Sequence, residues 1–402
     1  MTAVPRYRPN SGAVILQAGF RPFFLAAAIW AALAVPLWLA AYAEGLILPT
    51  ALDPVVWHAH EMIYGFAAAV VAGFLLTAIP NWTSRLPLQG TPLALLLLLW
   101  AIGRLGVLFA AKLGAPAATA ADLCFPAIFL TVVAREIVAG KNWRNLPMVA
   151  ALALLLAGNL LVHLGALGIA DTGSLGNRLG LATLLMLISL VGGRIVPSFT
   201  RNWLTKAHPD IAPPARNGHF DLCALIVTGI ALLLWVIDPN GTMASWSLIG
   251  AGGVSLLRLA RWRGARAIAE PLLAILHIGY GWLGVGLLLL GADRLFDVVG
   301  ASGALHALTV GAIGAMTLAV MTRASLGHTG RPLSAGPGTK AIYVLVTIAS
   351  VLRILSPFAG GRTELVLWLA GFAWTGAFGL FAILYGRVLT GPRVPDGVAK
   401  PI

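Results

Sequence analysis

The sequence predicts an all-α integral membrane protein of about twelve transmembrane helices, arranged as three four-helix units in pseudo-threefold order. Three observations predict it. Of 402 residues, 59% are hydrophobic and 10% are charged, against roughly 25% charged in an ordinary soluble domain. A water-soluble enzyme of this length would lack the residues to cover its surface. The apolar residues also fall in runs of ~20, enough to cross ~30 Å of hydrocarbon. Finally, the connections between runs are too short to hold a soluble domain, so residues 1–402 read as one polytopic unit.

The first run, 18–40, follows a polar, basic stretch (Met1 to Gly12) and continues into a full span, which reads as an uncleaved start. The second, 57–80, closes at Pro80, and Pro87, Gly90 and Pro92 then lead into 92–112. Runs at 120–139, 147–169 and 178–199 follow, and the longest loop, about 200–219, carries Pro213 and Pro214. The remaining spans are 220–238, 243–260, 270–291 and 299–322, then 340–358 and 364–387 after Gly336, Pro337 and Gly338. Pro and Gly mark these connections because neither sustains a regular helix.

The net charge of +13 comes from 27 Lys and Arg scattered between apolar runs, with no basic face. That pattern argues against nucleic acid and for the excess of cations on the cytoplasmic side. With the N-terminus in the cytoplasm, the far side holds Arg104, Lys112, Arg178, Arg294, Arg353 and Arg362, and the cytoplasmic side the other 21 of 27, including Arg6, Arg8, Arg216 and Lys400. Both termini are therefore expected in the cytoplasm, with an even number of spans. Cys124 and Cys223 form no CxxC motif and suggest no disulfide framework.

An internal repeat is visible. Ala78–Thr83 (AIPNWT), Ile195–Arg201 (IVPSFTR) and Ala319–Arg323 (AVMTR) end the second, sixth and tenth helices, and their threonines lie 117 and 122 residues apart. His60-xxxx-Gly65 is echoed by His306-xxxx-Gly311. Repeats over 13–140, 146–263 and 270–389 follow, against chance similarity among apolar helices.

Ionisable side chains inside a bilayer are costly, so each is a functional candidate. At 1.5 Å per residue, His60 and His163 lie roughly 6–9 Å below the outer surface, His306 ~10–12 Å below it, and His277 ~10 Å above the inner one. Arg104, Asp122 and Arg178 reach the outer layer too. Imidazole is the commonest metal ligand, and haem iron needs one or two. Without CxxCH, a non-covalent b-type haem, copper, or both would fit. The alternative for each histidine is a hydrogen bond to a neighbouring helix. His58 and His60, ~200° apart on a helix, would serve different sites, or one of them would face the rim. Tyr64 shares a face with His60 and could position a phenol. Glu61 orients an imidazole or stands at the headgroups. Trp143, Trp203 and Trp262, with Trp57 and Trp82, read as interfacial belts. Gly192-Gly193 and Gly311-xx-Gly314 read as close helix packing.

The strings Gly19-Phe20-Arg21-Pro22-Phe23-Phe24, Trp57-His58-Ala59-His60-Glu61-Met62, Leu305-His306-Ala307-Leu308-Thr309-Val310-Gly311 and Gly327-His328-Thr329-Gly330-Arg331-Pro332-Leu333 resemble the NnrS family almost end to end. The resemblance implies a bacterial inner-membrane protein containing haem and copper and linked to the nitric oxide response and denitrification. Its ligand would be nitric oxide or a related species, with an electron donor unspecified. The three-unit arrangement also looks like the haem–copper oxidase core, but that family's adjacent His-His pair and paired-His haem helix are absent.

The ligand candidates are His60, His163, His277 and His306, then His58, with Arg178 and Tyr64 beside the cofactor. His328 belongs to a tight turn or a re-entrant loop. No catalytic acid–base pair or nucleophile stands out. Competing readings are a secondary transporter, against which prolines at helix ends (Pro80, Pro197) count, and a factor delivering haem or copper to a denitrification reductase.

Overall fold

The computed structural model describes residues 12–215 and 218–394, and every regular element among them is helical. Arg6, Arg8, Arg216 and Lys400 of the charge count lie outside the described residues. Among the described residues, eleven helical runs are long and apolar enough to cross a membrane. The last, Pro337–Thr390, contains two α-helices separated by a 3-10 turn over Ser356–Arg362, with Gly360 at φ 52°. The passes are then α1 (Phe20–Ala43), α2 (Pro54–Thr83), α3 (Thr91–Leu108), α4 (Ala115–Ala139), α5 (Leu146–Ala166), α6 (Gly173–Ala207), α7 (His219–Ile237), α8 (Thr242–Ala260), α9 (Pro271–Phe296), α10 (Ala301–His328), α11 (Pro337–Leu355) and α12 (Thr363–Thr390).

Local sequence sets the helix ends. Asp53 caps α2 by accepting the Val55 N–H at 2.9 Å, and Pro54 takes the first position, where its missing N–H costs nothing. Glu270 and Pro271 start α9 in the same way. Ser84 and Asp297, both in the left-handed conformation, end α2 and α9.

Several boundaries differ from the sequence reading. Pro80 and Pro197 lie inside continuous helices rather than at their ends. A proline is tolerated there because neighbouring groups can satisfy the carbonyl it frees. The α6 helix runs on to Ala207, which shortens the long loop. His328 is the last residue of α10, not part of a turn or re-entrant loop, and the turn begins at Thr329 and Gly330. Trp57 and Trp262 are 0% and 3% exposed, so they fill the interior and not an interfacial belt. Trp143, 59% exposed, keeps the expected outward position.

Among the described residues, three helices contain a π-helical segment: Glu61–Ala67 in α2, Ile188–Gly192 in α6 and Ala307–Gly314 in α10. A π turn widens the helix and takes carbonyls out of the i−4 ladder, and such segments concentrate at functional sites. Side chains of neighbouring helices also bond carbonyls within two of these segments. Trp100 Nε1 of α3 donates to Gly65 O at 3.0 Å, and Arg258 Nη1 of α8 donates to Ser189 O at 2.9 Å.

Contacts divide the chain into two compact units. The first holds the described residues up to Gly180, with Ala324–Gly330 and the described residues from Ala382 onward. In it Arg21, buried, donates to Leu389 O at 2.7 Å and Gly391 O at 2.8 Å, closing the C-terminal end of α12. The His328 ring packs on Phe20 at 5.5 Å. The second unit holds Leu181–Arg323 and Arg331–Phe381. Its centre is Arg258, paired with Asp221 at 2.9 Å and donating to Tyr280 OH at 3.1 Å. Trp262 lies 4.5 Å from the Tyr280 ring, which explains its burial.

Candidate metal centre in the first unit

The site grows from α2. His60 ends its first α-helical segment, and the π segment begins at the next residue. Both His60 and Glu61 thereby turn into the interior, each fully buried. His60 Nδ1 meets Glu61 Oε1 at 2.9 Å, so the neighbouring carboxylate fixes the ring. Of the two readings open for Glu61, the structure selects the one in which it orients an imidazole.

Three further helices complete the cluster. Asn159 and His163, one turn apart on α5, share a face. His163 Nε2 lies 2.9 Å from Asp122 Oδ2 of α4, and His60 Nε2 lies 3.2 Å from the same oxygen. Thr119 Oγ1, one turn before Asp122, meets His163 Nδ1 at 3.1 Å. Asn159 bridges, its Oδ1 2.8 Å from His60 Nε2 and its Nδ2 donating to Asp122 Oδ2 at 2.8 Å. Arg104 of α3 neutralises both acids, with Nη1 2.8 Å from each Glu61 oxygen and Nη2 on Asp122 Oδ1. Five ionisable groups thus stand together inside the helices. Desolvating charges costs several kcal/mol per ion, and only dense pairing of this kind offsets it.

The donor atoms of His60, Asp122 and His163 all lie within 4.8 Å of one another. A tetrahedral ion with bonds of ~2.0–2.1 Å sets its ligand atoms about 3.3 Å apart. The observed 2.9 and 3.2 Å are close to that spacing. Glu61 and Thr119 hold the Nδ1 atoms and leave both Nε2 atoms facing one carboxylate oxygen, the outer-shell arrangement that orients metal-binding histidines. The residues therefore fit a single metal ion. They do not fit a porphyrin, because Asp122 and Asn159 fill the space between the rings.

The other sequence candidates stand elsewhere. His58 stacks on Trp38 at 4.1 Å, apart from His60, as their angular separation on the helix requires. The Tyr64 ring is 5.4 Å from that of His60, but its hydroxyl donates to Gly176 O at 2.6 Å. A side chain at Gly158 or Gly180 would strike that hydroxyl, so Tyr64 sits in a cradle of small residues. Arg178, half-buried, lies between Gly176 and Gly180 on α6. In the second unit, His277 Nδ1 donates to Leu273 O at 3.0 Å, and the ring also bonds the Trp262 backbone. Half-buried His306 donates from Nδ1 to Ser302 O at 2.6 Å.

Sequence reasoning put Arg104 and Asp122 at the right depth without joining them to a site. It missed Asn159 and Thr119. The available signal was spacing: Asn159 is four residues before His163, and an amide inside an apolar run needs a partner.

No curated protein matches the chain. The sequence profile of a family described as NnrS protein matches residues 14–393, nearly the whole length, so the chain belongs to the NnrS family.

Proposed function

We propose that this protein is a membrane metalloprotein of the nitric oxide response, with a copper ion held by His60, His163 and Asp122. Family membership supports the membrane and nitric oxide part at the level of the family. One observation carries the metal: two imidazole Nε2 atoms meet on a single buried carboxylate oxygen while their Nδ1 atoms are held from behind. Mixed imidazole and carboxylate donors suit copper or zinc, and the family's association with copper favours the first.

Bound copper would supply a one-electron couple and a coordination position for a diatomic such as nitric oxide. The protein's own groups do the rest. Glu61 fixes the His60 ring, and Arg104 balances the two carboxylates. Asn159 holds Asp122 in place. His60 Nε2 faces Asn159 Oδ1 at 2.8 Å, so metal binding would displace that bond and any proton on it.

A b-type haem belongs elsewhere. His277 and His306 are its candidates, each donating Nδ1–H to the carbonyl four residues back on its own helix. The cation bias supports both termini in the cytoplasm, and the bacterial inner membrane is what the family resemblance implies. The three four-helix repeats gain support from the π segments of α2, α6 and α10. Support also comes from Thr83, Thr200 and Thr322, each bonded to the carbonyl four residues back.

The test is metal analysis and an absorption spectrum of protein purified after copper- and haem-replete expression. Copper near one per chain, lost in His60→Ala and His163→Ala and kept in His58→Ala, is the expected result. Metal-free wild-type protein overturns the reading. A secondary transporter is the second reading, favoured by the same buried charges beside a π segment. Counterflow uptake into proteoliposomes by metal-free protein would select it.

A further inference from the structure

The ends of α2 and α4 enclose a second feature, which the metal does not use. A cleft of about 500 Å³ opens between the last turns of the two helices and the segment 84–88. Its deep wall is apolar: Leu76 and Ile79 from α2, Val132 and Val133 from α4. Its mouth is charged. Glu136 accepts from Arg85 Nε and, at Oε1, from Arg135 Nε at 3.1 Å and Nη2 at 2.8 Å. Two guanidinium groups thus face one carboxylate. Each guanidinium carries five N–H donors, and the Glu136 bonds use only part of them. The two arginines are 43% and 65% exposed, so their remaining donors reach outward.

We propose that this cleft binds an anionic phospholipid, with an acyl chain against the apolar wall and the phosphate on Arg85 and Arg135. Both helices end here after runs long enough to cross a bilayer, which puts the arginines at headgroup level and the valines at acyl level. Charge decides the lipid class. One positive charge remains after Glu136 is paired, and anionic headgroups are drawn to basic residues at a membrane surface. Arginine binds a phosphate diester through parallel N–H···O bonds. Free phosphate gains nothing from the apolar wall, and a zwitterionic lipid brings its own cation against the arginines.

The test uses full-length protein in micelles containing equal amounts of phosphatidylglycerol and phosphatidylcholine, read by native mass spectrometry. Wild type is expected to retain phosphatidylglycerol over phosphatidylcholine by about tenfold, the scale of one or two basic contacts at a membrane surface. The double variant Arg85→Gln/Arg135→Gln loses the preference, and Arg85→Lys/Arg135→Lys keeps most of it. Val132→Trp, which fills the cleft, lowers retention without touching the charges. Equal retention of the two lipids by wild type overturns the proposal. So does an unchanged preference in the glutamine variant, displacement by millimolar inorganic phosphate, or a second copy of the chain bound in place of lipid.

Discussion

Asp122 is the residue on which the buried cluster turns. It touches Arg104, His60, His163 and Asn159, so removing it leaves an arginine and two imidazoles in the interior without their shared partner. Breaking one buried pair costs about 3–5 kcal/mol. Asp122→Ala should therefore lower the thermal unfolding midpoint in detergent and abolish copper retention, while Asp122→Asn restores the midpoint in part and copper hardly at all. Gly65 carries a different constraint. A methyl group there would sit 2.8 Å from both Glu61 Oε2 and Arg104 Nη1, so the pair must move. Gly65→Ala should cost about 1–3 kcal/mol by overpacking, measurable in the same melt. Neither residue drew attention in the sequence as part of a site. Asp122 is one carboxylate in an apolar run, and its meaning comes from the three helices around it.

At the scale of the element, the π segment of α2 sets the direction of His60. Residues Glu61–Ala67 carry the wider turn, which changes the angular relation between His60 and the rest of the helix. Deleting Ile63 should restore regular α-helix there and close the wide turn that carries His60 and Glu61 into the cluster. The expected outcome is unchanged helical circular dichroism with loss of copper. Retention of copper by the deletion variant would show that the π turn is not what aims the ligand. The helix itself was legible from its apolar run. The π turn was not, because hydropathy carries no record of where a backbone hydrogen bond skips a residue. The buried positions of Trp57 and Trp262 were hidden for a related reason: an indole near a helix end has the same composition signal whether it faces lipid headgroups or a neighbouring helix.

For the whole molecule, the cation distribution predicts that both ends of the chain face the cytoplasm. A reporter active only in the cytoplasm, fused after Ile402, should be active, and one active only outside should be silent. The reverse result would remove one span from the count or invert the protein. This prediction is independent of any metal, since it rests on where 27 cations fall between apolar runs.

Amino-acid order by itself determined that the chain is helical, that its helices are long and apolar enough for a bilayer, and that His60 and His163 stand at one depth. Those properties follow from composition and from the fixed rise of a helix, which are local. The tertiary structure alone decided that these two imidazoles meet on Asp122, that Glu61 and Thr119 stand behind them, and that His277 and His306 lie in the other unit. Depth fixes one coordinate of a side chain. The other two depend on how helices pack and on where a helix widens, and those are set by contacts between residues far apart in the chain.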